Sequence, residues 1–146
     1  MSTGTRDPRT KKRVLIVDDD ELVRTTASEV FERIGLEVST ASNGEEAIVE
    51  MARNGADLAI VDVLMPDKEG IETLIQFKRD YPDTKVIMIS SGGRRQVEDF
   101  LNIAQRFGAD VVLKKPIKPS ILLSHTTELL WGPSAIPTEP KWKDAK

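Results

Sequence analysis

Five short apolar runs, separated by amphipathic stretches, constrain the fold of this chain more than any other feature of its sequence. Four of the runs are rich in apolar and β-branched residues, as expected of strands covered on both faces, whereas the second alternates as a half-covered edge strand does. Strict alternation of strands with helical stretches predicts an α/β domain in which helices cover both faces of a parallel sheet. The five runs are Val14–Val17, Leu36–Thr40, Leu58–Val61, Val86–Ile89 and Val111–Leu113.

Capping and turn residues predict where the helices between these runs begin and end. Asp20 is suited to cap the first helix, and Gly35 ends that helix as a C′ glycine would. Asn43 can cap the second helix, which ends at Asn54-Gly55. We expect the last helix to run from Ile117 to Leu130.

Length and composition favour one folded domain with loose ends. The chain has 146 residues, a net charge of -3 and no cysteine, which excludes a disulfide framework, a thiolate metal site and a general basic field for nucleic acid. No apolar run is long enough for a secretion signal or a membrane span. We therefore expect a cytoplasmic protein that binds neither membranes nor nucleic acid directly. Its parts are a flexible basic arm over residues 1–11, a domain over 12–131 and a proline-rich tail over 132–146.

Polar residues gather at the carboxyl ends of four of the five predicted strands. Each of them alone has an ordinary explanation, such as a helix cap or a solvated charge. In open parallel sheets, however, ligands bind beyond these strand ends, where the strand order reverses. The pattern suits a sheet ordered 2-1-3-4-5, with a site at which a positive group offsets the repulsion between crowded carboxylates. The residues are Asp18-Asp19-Asp20 after the first run, Asp62 after the third, Ser90-Ser91 after the fourth and Lys114-Lys115 after the fifth.

Four motifs carry a family resemblance. They are the acidic run of VLIVDDD, the aspartate of IVDVLMPDKEG, the hydroxyl residue of VIMISSG and the lysine–proline pair of GADVVLKKP. In this order and at this spacing they resemble the receiver domain of two-component response regulators, in particular stand-alone members similar to the chemotaxis regulator. The resemblance runs from Lys12 to Trp131 and implies a doubly wound, flavodoxin-like (βα)5 fold.

The resemblance assigns the acidic residues to phosphoryl transfer. Asp62 corresponds to the phosphoacceptor, a carboxylate nucleophile that becomes an aspartyl phosphate. Asp19, Asp62 and the backbone carbonyl of Leu64 would hold Mg²⁺, and Asp18 would help through water. The magnesium ion would then be the positive group among the carboxylates and would neutralise the phosphoryl oxygens during transfer.

The resemblance also assigns a switch. Lys115 would pair with the phosphoryl group, or with the acceptor aspartate before phosphorylation, and a cis peptide before Pro116 would help to aim it. Ser90 would donate its hydroxyl to a phosphoryl oxygen and move inward as it does so. Most receivers have an aromatic switch residue where this chain has Val112, which has no ring to swing. We therefore expect the loop from Gly92 to Val97 to replace the aromatic readout.

These assignments predict a single-domain response regulator. It would accept a phosphoryl group on Asp62 from a sensor histidine kinase or a histidine phosphotransfer protein, and would signal by phosphorylation-dependent protein binding or within a phosphorelay. It would catalyse only its own phosphorylation and dephosphorylation. One alternative is a receiver-like interaction module that works without phosphorylation, which Val112 favours. Another is a Mg²⁺-dependent phosphatase, but Leu64 stands where such enzymes usually have a second aspartate, and the chain has no room for their substrate cap.

Overall fold

The computed structural model describes residues 11–63, 68–90 and 102–132, and within these ranges strands and helices alternate along the chain. The described part of a fourth helix, α4, covers residues 102–106. The other elements are β1 (Arg13–Val17), α1 (Glu21–Arg33), β2 (Glu37–Ala41), α2 (Gly44–Asn54), β3 (Leu58–Val63), α3 (Lys68–Asp80), β4 (Lys85–Ser90), β5 (Val111–Lys114) and α5 (Pro119–Trp131).

The strands form one parallel sheet in the order β2-β1-β3-β4-β5, which confirms the predicted topology. The register aligns the carboxyl ends of the strands. Val17 of β1 pairs with Ala41 and Val61, while Ser90 at the end of β4 pairs with Val63 and Lys114. The polar residues that follow the strands are therefore brought to one edge of the sheet.

Two apolar clusters cover the two faces of the sheet, because alternate side chains of a strand point to opposite faces. Val14 and Ile16 of β1 belong to a cluster that includes Phe31 of α1 and the apolar side of α5. Leu15 and Val17 belong to the other cluster, which takes in buried residues of α2, α3 and α4. Each of these four residues is at most 3 % exposed, as the continuous apolar run of β1 predicts.

The helix ends confirm the predicted caps in α1 and α2. Asp20 accepts hydrogen bonds from the backbone N–H groups of the first turn of α1, and Asn43 accepts one from Glu46 of α2. Gly35 follows α1 with a φ of 92°, the left-handed conformation that glycine adopts without strain. Helix α5 begins two residues later than predicted, at Pro119, because a proline in the first turn has no N–H to leave unpaired.

In the described ranges, no helix combines the length and the apolar character that crossing a bilayer requires. The expected basic arm, apart from its last residue, and the tail beyond Gly132 lie outside the described residues. So does the loop from Gly92 to Val97 that was expected to carry the readout.

Candidate functional site

Asp18 directly follows β1 at the edge of the sheet, and hydrogen bonds of its backbone and side chain hold it there. Its N–H donates to the carbonyl of Ala41 at 3.0 Å, and its Oδ1 accepts from the N–H of Asp20 at 2.8 Å. The residue is only 3 % exposed, and its Oδ2 is buried with no donor among the described residues. A buried carboxylate oxygen without a donor is costly, so this atom indicates a place for a positive partner.

Asp62, near the end of β3, lies between Asp18 and Lys115. Its Oδ2 is 2.8 Å from the Nζ of Lys115, and its side chain is 9 % exposed. Burial is the main cause that raises the pKa of Asp62 to about 7, and the hydrogen bond and charge of Asp18 raise it further, against the opposing effect of Lys115. The largest part of the rise therefore reflects burial, and the contribution of Asp18 indicates that a second acidic group lies close to Asp62.

Lys115 reaches this position from the segment that follows β5. Its backbone N–H donates to the carbonyl of Ser90 at 2.9 Å, and the peptide bond before Pro116 is cis, as the family resemblance implied. Burial pulls the pKa of Lys115 down, but the hydrogen bond and charge of Asp62, with the charges of Asp18 and Asp19, outweigh it and leave the pKa raised. Lys115 is therefore a charged ammonium group that faces acidic side chains.

Ser90 and Val112 lie on the sheet face that α4 covers. Ser90 is fully buried at the end of β4 and pairs with Lys114 of β5, two residues beyond Val112 on the same side of the strand. Val112 is partly buried and packs against the apolar cluster beneath α2, α3 and α4. Ser90 and Val112, the residue at the aromatic position, thus lie on one face of the sheet, with an aliphatic group in place of a ring.

The acidic residues meet less completely than the sequence suggested. Asp18 and Asp62 come together, whereas Asp19 is exposed and acts on the site through its charge near Lys115. Within the described ranges, no cluster of three or more histidine, cysteine or acidic side chains is arranged to hold a metal ion. Leu64, whose carbonyl was the expected further ligand, lies outside those ranges. The donor set that is described nevertheless suits a hard cation, because it consists of carboxylate oxygens, one of them buried without a donor.

An apolar groove that sequence reasoning missed runs beside the site. It encloses about 470 Å³ between α1 and the start of α5, and both Asp62 and Lys115 line it. Leu22 and Val23 line its α1 side and remain 73 % and 37 % exposed. The signal that could have found the groove is the placement of two adjacent apolar residues in the first turn after an acidic run.

Arg24 is a second residue that sequence reasoning missed. It lies on α1, one turn beyond Asp20, and its Nη1 donates to the backbone carbonyl of Asp18 at 2.7 Å. The side chain therefore turns back towards the acidic edge of the sheet. The sequence carries no local signal for this contact, because an arginine near the start of a helix is usually a solvated charge.

The comparison with protein families decides which family the chain belongs to. The family model described as the response regulator receiver domain matches residues 14–127. This chain belongs to that family. Receiver domains are signalling modules of two-component systems rather than classical enzymes, and phosphorylation and Mg²⁺ are typical of them.

Individual relatives support this membership of the receiver family. The chemotaxis protein CheY of Halobacterium salinarum is 34 % identical over 112 residues, which cover 76 % of this chain and 91 % of CheY. The alkaline phosphatase synthesis transcriptional regulatory protein PhoP of Bacillus subtilis is 33 % identical over 109 residues, which cover 74 % of this chain and 44 % of PhoP. Among solved structures, a CheY-like receiver domain protein from Methanospirillum hungatei superposes with a TM-score of 0.75 at 30 % identity, covering 83 % of this chain and 94 % of that one. The chain therefore spans nearly all of a CheY but less than half of PhoP.

Proposed function

We propose that this receiver domain accepts a phosphoryl group on Asp62 from the phosphohistidine of a sensor histidine kinase or a histidine phosphotransfer protein. The observation that carries the proposal is the position of Asp62, which pairs with Lys115 at 2.8 Å and lies against Asp18 at the carboxyl edge of the sheet. A lone buried aspartate would need one cation for stability. A second carboxylate crowded against this pair adds repulsion, which a purely structural site would avoid.

The chemistry follows from these positions. An ionised oxygen of Asp62 forms a bond to phosphorus while the phosphorus–nitrogen bond to the imidazole breaks, and the imidazole leaves with the electron pair of that bond. Lys115 already contacts the acceptor carboxylate and can pair with the oxygens of the incoming group as negative charge arrives. Asp62 has to be ionised to attack, so a cation at the site also favours the reactive form.

Asp18, Asp19 and Asp62 would hold Mg²⁺ in this proposal, together with the backbone carbonyl of Leu64. When bound, the ion supplies charge neutralisation at the phosphoryl oxygens. The buried Oδ2 of Asp18, which has no donor in the described part of the chain, is the feature of the site that most clearly suits this ligand.

Ser90 would transmit the modification. Ser90 ends β4 and pairs with Lys114, and its carbonyl accepts a hydrogen bond from the N–H of Lys115. Its hydroxyl can donate to an oxygen of the new phosphoryl group. Val112 shares its sheet face but cannot rotate a ring into the space that Ser90 leaves. We infer that the signal leaves through the chain that follows Ser90, as phosphorylation-dependent protein binding or phosphoryl relay.

The groove between α1 and α5 is the surface that we assign to the phosphodonor protein. A donor has to bring its phosphohistidine to Asp62, and Asp62 itself lines the groove, so the donor covers this surface when it reacts. The exposed Leu22 offers an apolar contact beside the acceptor. The partner is therefore a protein that presents apolar side chains next to its histidine.

Incubation with acetyl phosphate and Mg²⁺, followed by intact mass measurement, tests the proposal. The wild-type protein should gain about 80 Da, the mass of one phosphoryl group, and Asp62→Asn should gain nothing. Asp83→Asn is the matched control, because Asp83 is an exposed aspartate just before β4, at the opposite edge of the sheet. Equal labelling of Asp62→Asn and wild type would refute the assignment, and lack of labelling in wild type would favour an interaction module that works without phosphorylation.

A further inference from the structure

We propose that Arg24 is a positioning residue that fixes the acidic turn Asp18-Asp19 for cation binding and phosphoryl transfer. The inference rests on the proposed function and deepens it. Its first support is the 2.7 Å hydrogen bond from Arg24 Nη1 to the carbonyl of Asp18. That carbonyl belongs to the peptide that leads into Asp19, so the bond orients the backbone between the two aspartates.

Among the described contacts of Asp18, the hydrogen bond from Arg24 is the one to its backbone carbonyl. The N–H of Asp18 is bonded to Ala41, and its Oδ1 is bonded to the N–H of Asp20. The bond to Asp20 closes a turn that includes the peptide between Asp18 and Asp19, whereas among the described contacts Arg24 is the one that bonds the carbonyl of this peptide. Loss of the arginine would therefore loosen the peptide before Asp19, whose exposed side chain is not held by a described hydrogen bond or ion pair.

Glu46 provides a second, independent support for the position of Arg24. The hydrogen bonds of Ser42 are the main cause that lowers the pKa of Glu46, and the charge of Arg24 lowers it further. Glu46 accepts from the N–H of Ser42 at 2.8 Å and from its hydroxyl at 2.7 Å, which fixes the loop between β2 and α2. Arg24 thus donates to the carbonyl of Asp18 and also lies near the carboxylate of Glu46 in the first turn of α2.

The direction in which the Mg²⁺ affinity changes distinguishes a positioning role of Arg24 from a purely electrostatic effect of its charge. Arg24 is positive and close to a site for a positive ion, so removal of its charge alone would strengthen Mg²⁺ binding. Removal of a positioning contact would weaken it, because residues that orient metal ligands contribute about 10-fold or more to affinity. The two explanations therefore predict opposite changes.

The test compares the Mg²⁺ dissociation constants of full-length wild type, Arg24→Met, Arg24→Lys and Arg33→Met by titration calorimetry with MgCl₂ alone. Methionine keeps the apolar stem and the helix propensity of arginine, so α1 should persist. Arg33 is the matched control, because it lies in the last turn of the same helix, far from the acidic edge. We expect Arg24→Met to bind about 10-fold more weakly, Arg33→Met to match wild type, and Arg24→Lys to regain most of the affinity, because its ammonium group can still donate to the carbonyl of Asp18.

Unchanged or tighter binding by Arg24→Met overturns the inference while leaving the proposed function intact, provided that wild type binds Mg²⁺ and is phosphorylated. An equal loss in Arg24→Lys and Arg24→Met also overturns it, because a donor in reach of the carbonyl should rescue a positioning role. Urea unfolding of each variant shows whether a loss of affinity follows a loss of folding, and a loss that scales with stability counts against the proposal. Failure of wild type to bind Mg²⁺ and to accept a phosphoryl group refutes both claims.

Discussion

At the scale of single residues, Asp62 lies between the carboxyl group of Asp18 and the ammonium group of Lys115. Burial and Asp18 favour its protonated form, whereas Lys115 favours its ionised form, and the balance raises its pKa from 3.8 to about 7. The ionised form of Asp62 therefore destabilises the folded state as long as Lys115 is its only cationic partner among the described residues. This is the arrangement expected of a nucleophile whose environment is completed by a ligand.

The raised pKa predicts how stability depends on pH without metal. Because the folded state holds the proton more tightly than the unfolded state, the contribution of Asp62 to stability is fully present below pH 3.8 and is lost as the pH rises through about 7. Asp62→Asn has no titratable group at this position, so its free energy of unfolding should increase relative to that of wild type between pH 5 and pH 8. Over this pH range the gain should be at most about 3 kcal/mol, since about two pH units lie between pH 5 and the pKa of about 7, and one pKa unit corresponds to about 1.4 kcal/mol.

Urea unfolding in EDTA across this pH range measures the difference, and saturating MgCl₂ at pH 8 should reduce it because the ion stabilises the carboxylates of wild type. Asp83→Asn provides the control for the loss of one aspartate at an exposed position. A difference between Asp62→Asn and wild type that stays constant from pH 5 to pH 8 would contradict the raised pKa.

At the scale of elements, α1 connects the acidic edge to the core. Its N-cap, Asp20, follows directly after the two aspartates of the site and accepts hydrogen bonds from Leu22 and Val23. At its other end, Phe31 is 1 % exposed within the core cluster. The helix thus ties the position of the acidic turn to the packing of the sheet.

Removal of the α1 cap should lower stability by a predictable amount. We expect Asp20→Ala to lose about 1 kcal/mol of unfolding free energy, because two N–H groups at the start of the helix lose their acceptor. Asp20→Asn keeps a side-chain oxygen while removing the charge, so it should lose only a small part of this. Urea unfolding at one pH compares the two variants, and equal losses would show that charge rather than capping is responsible.

At this scale, the sequence predicts features that a few neighbouring residues determine, but not features that depend on how distant elements pack. The caps Asp20 and Asn43 and the C′ glycine Gly35 were predictable, because a few neighbouring residues determine them. The exposure of Leu22 was not, since it depends on how α5 packs beside α1. The strand order likewise predicted that Asp19 lies at the carboxyl edge, but not that its side chain is exposed, because topology places backbones and not side chains.

At the scale of the whole molecule, the strand order brings together groups that are far apart in the sequence. Asp18 and Lys115 follow β1 and β5, and Asp62 lies near the end of β3, so their meeting depends on these three strands sharing one parallel sheet. The four motifs were sufficient to predict this edge, because the order 2-1-3-4-5 leaves little freedom in where strand ends lie. The groove beside it is a property of the assembled fold, formed by the first and last helices.

The groove predicts a difference between protein and small-molecule phosphodonors. With a histidine kinase that phosphorylates wild type, Leu22→Gln should react about 10-fold more slowly, since an apolar contact of this kind contributes more than about 1 kcal/mol to an interface. With acetyl phosphate, the rate should be unchanged, because Leu22 is 73 % exposed and touches neither Asp62 nor Lys115 by a described bond. Val49→Gln, an exposed apolar position on α2, is the matched control. Equal slowing with both donors, or with neither, would refute docking in the groove.

The most direct measurement for the central claim is chemical trapping of the modified side chain. Borohydride reduces an aspartyl phosphate to homoserine, and peptide sequencing by tandem mass spectrometry then identifies the position. After incubation with acetyl phosphate and Mg²⁺, the account predicts homoserine at position 62 and at no other aspartate. Homoserine at Asp18 or Asp19, or none in a sample whose intact mass shows phosphorylation, would contradict the account.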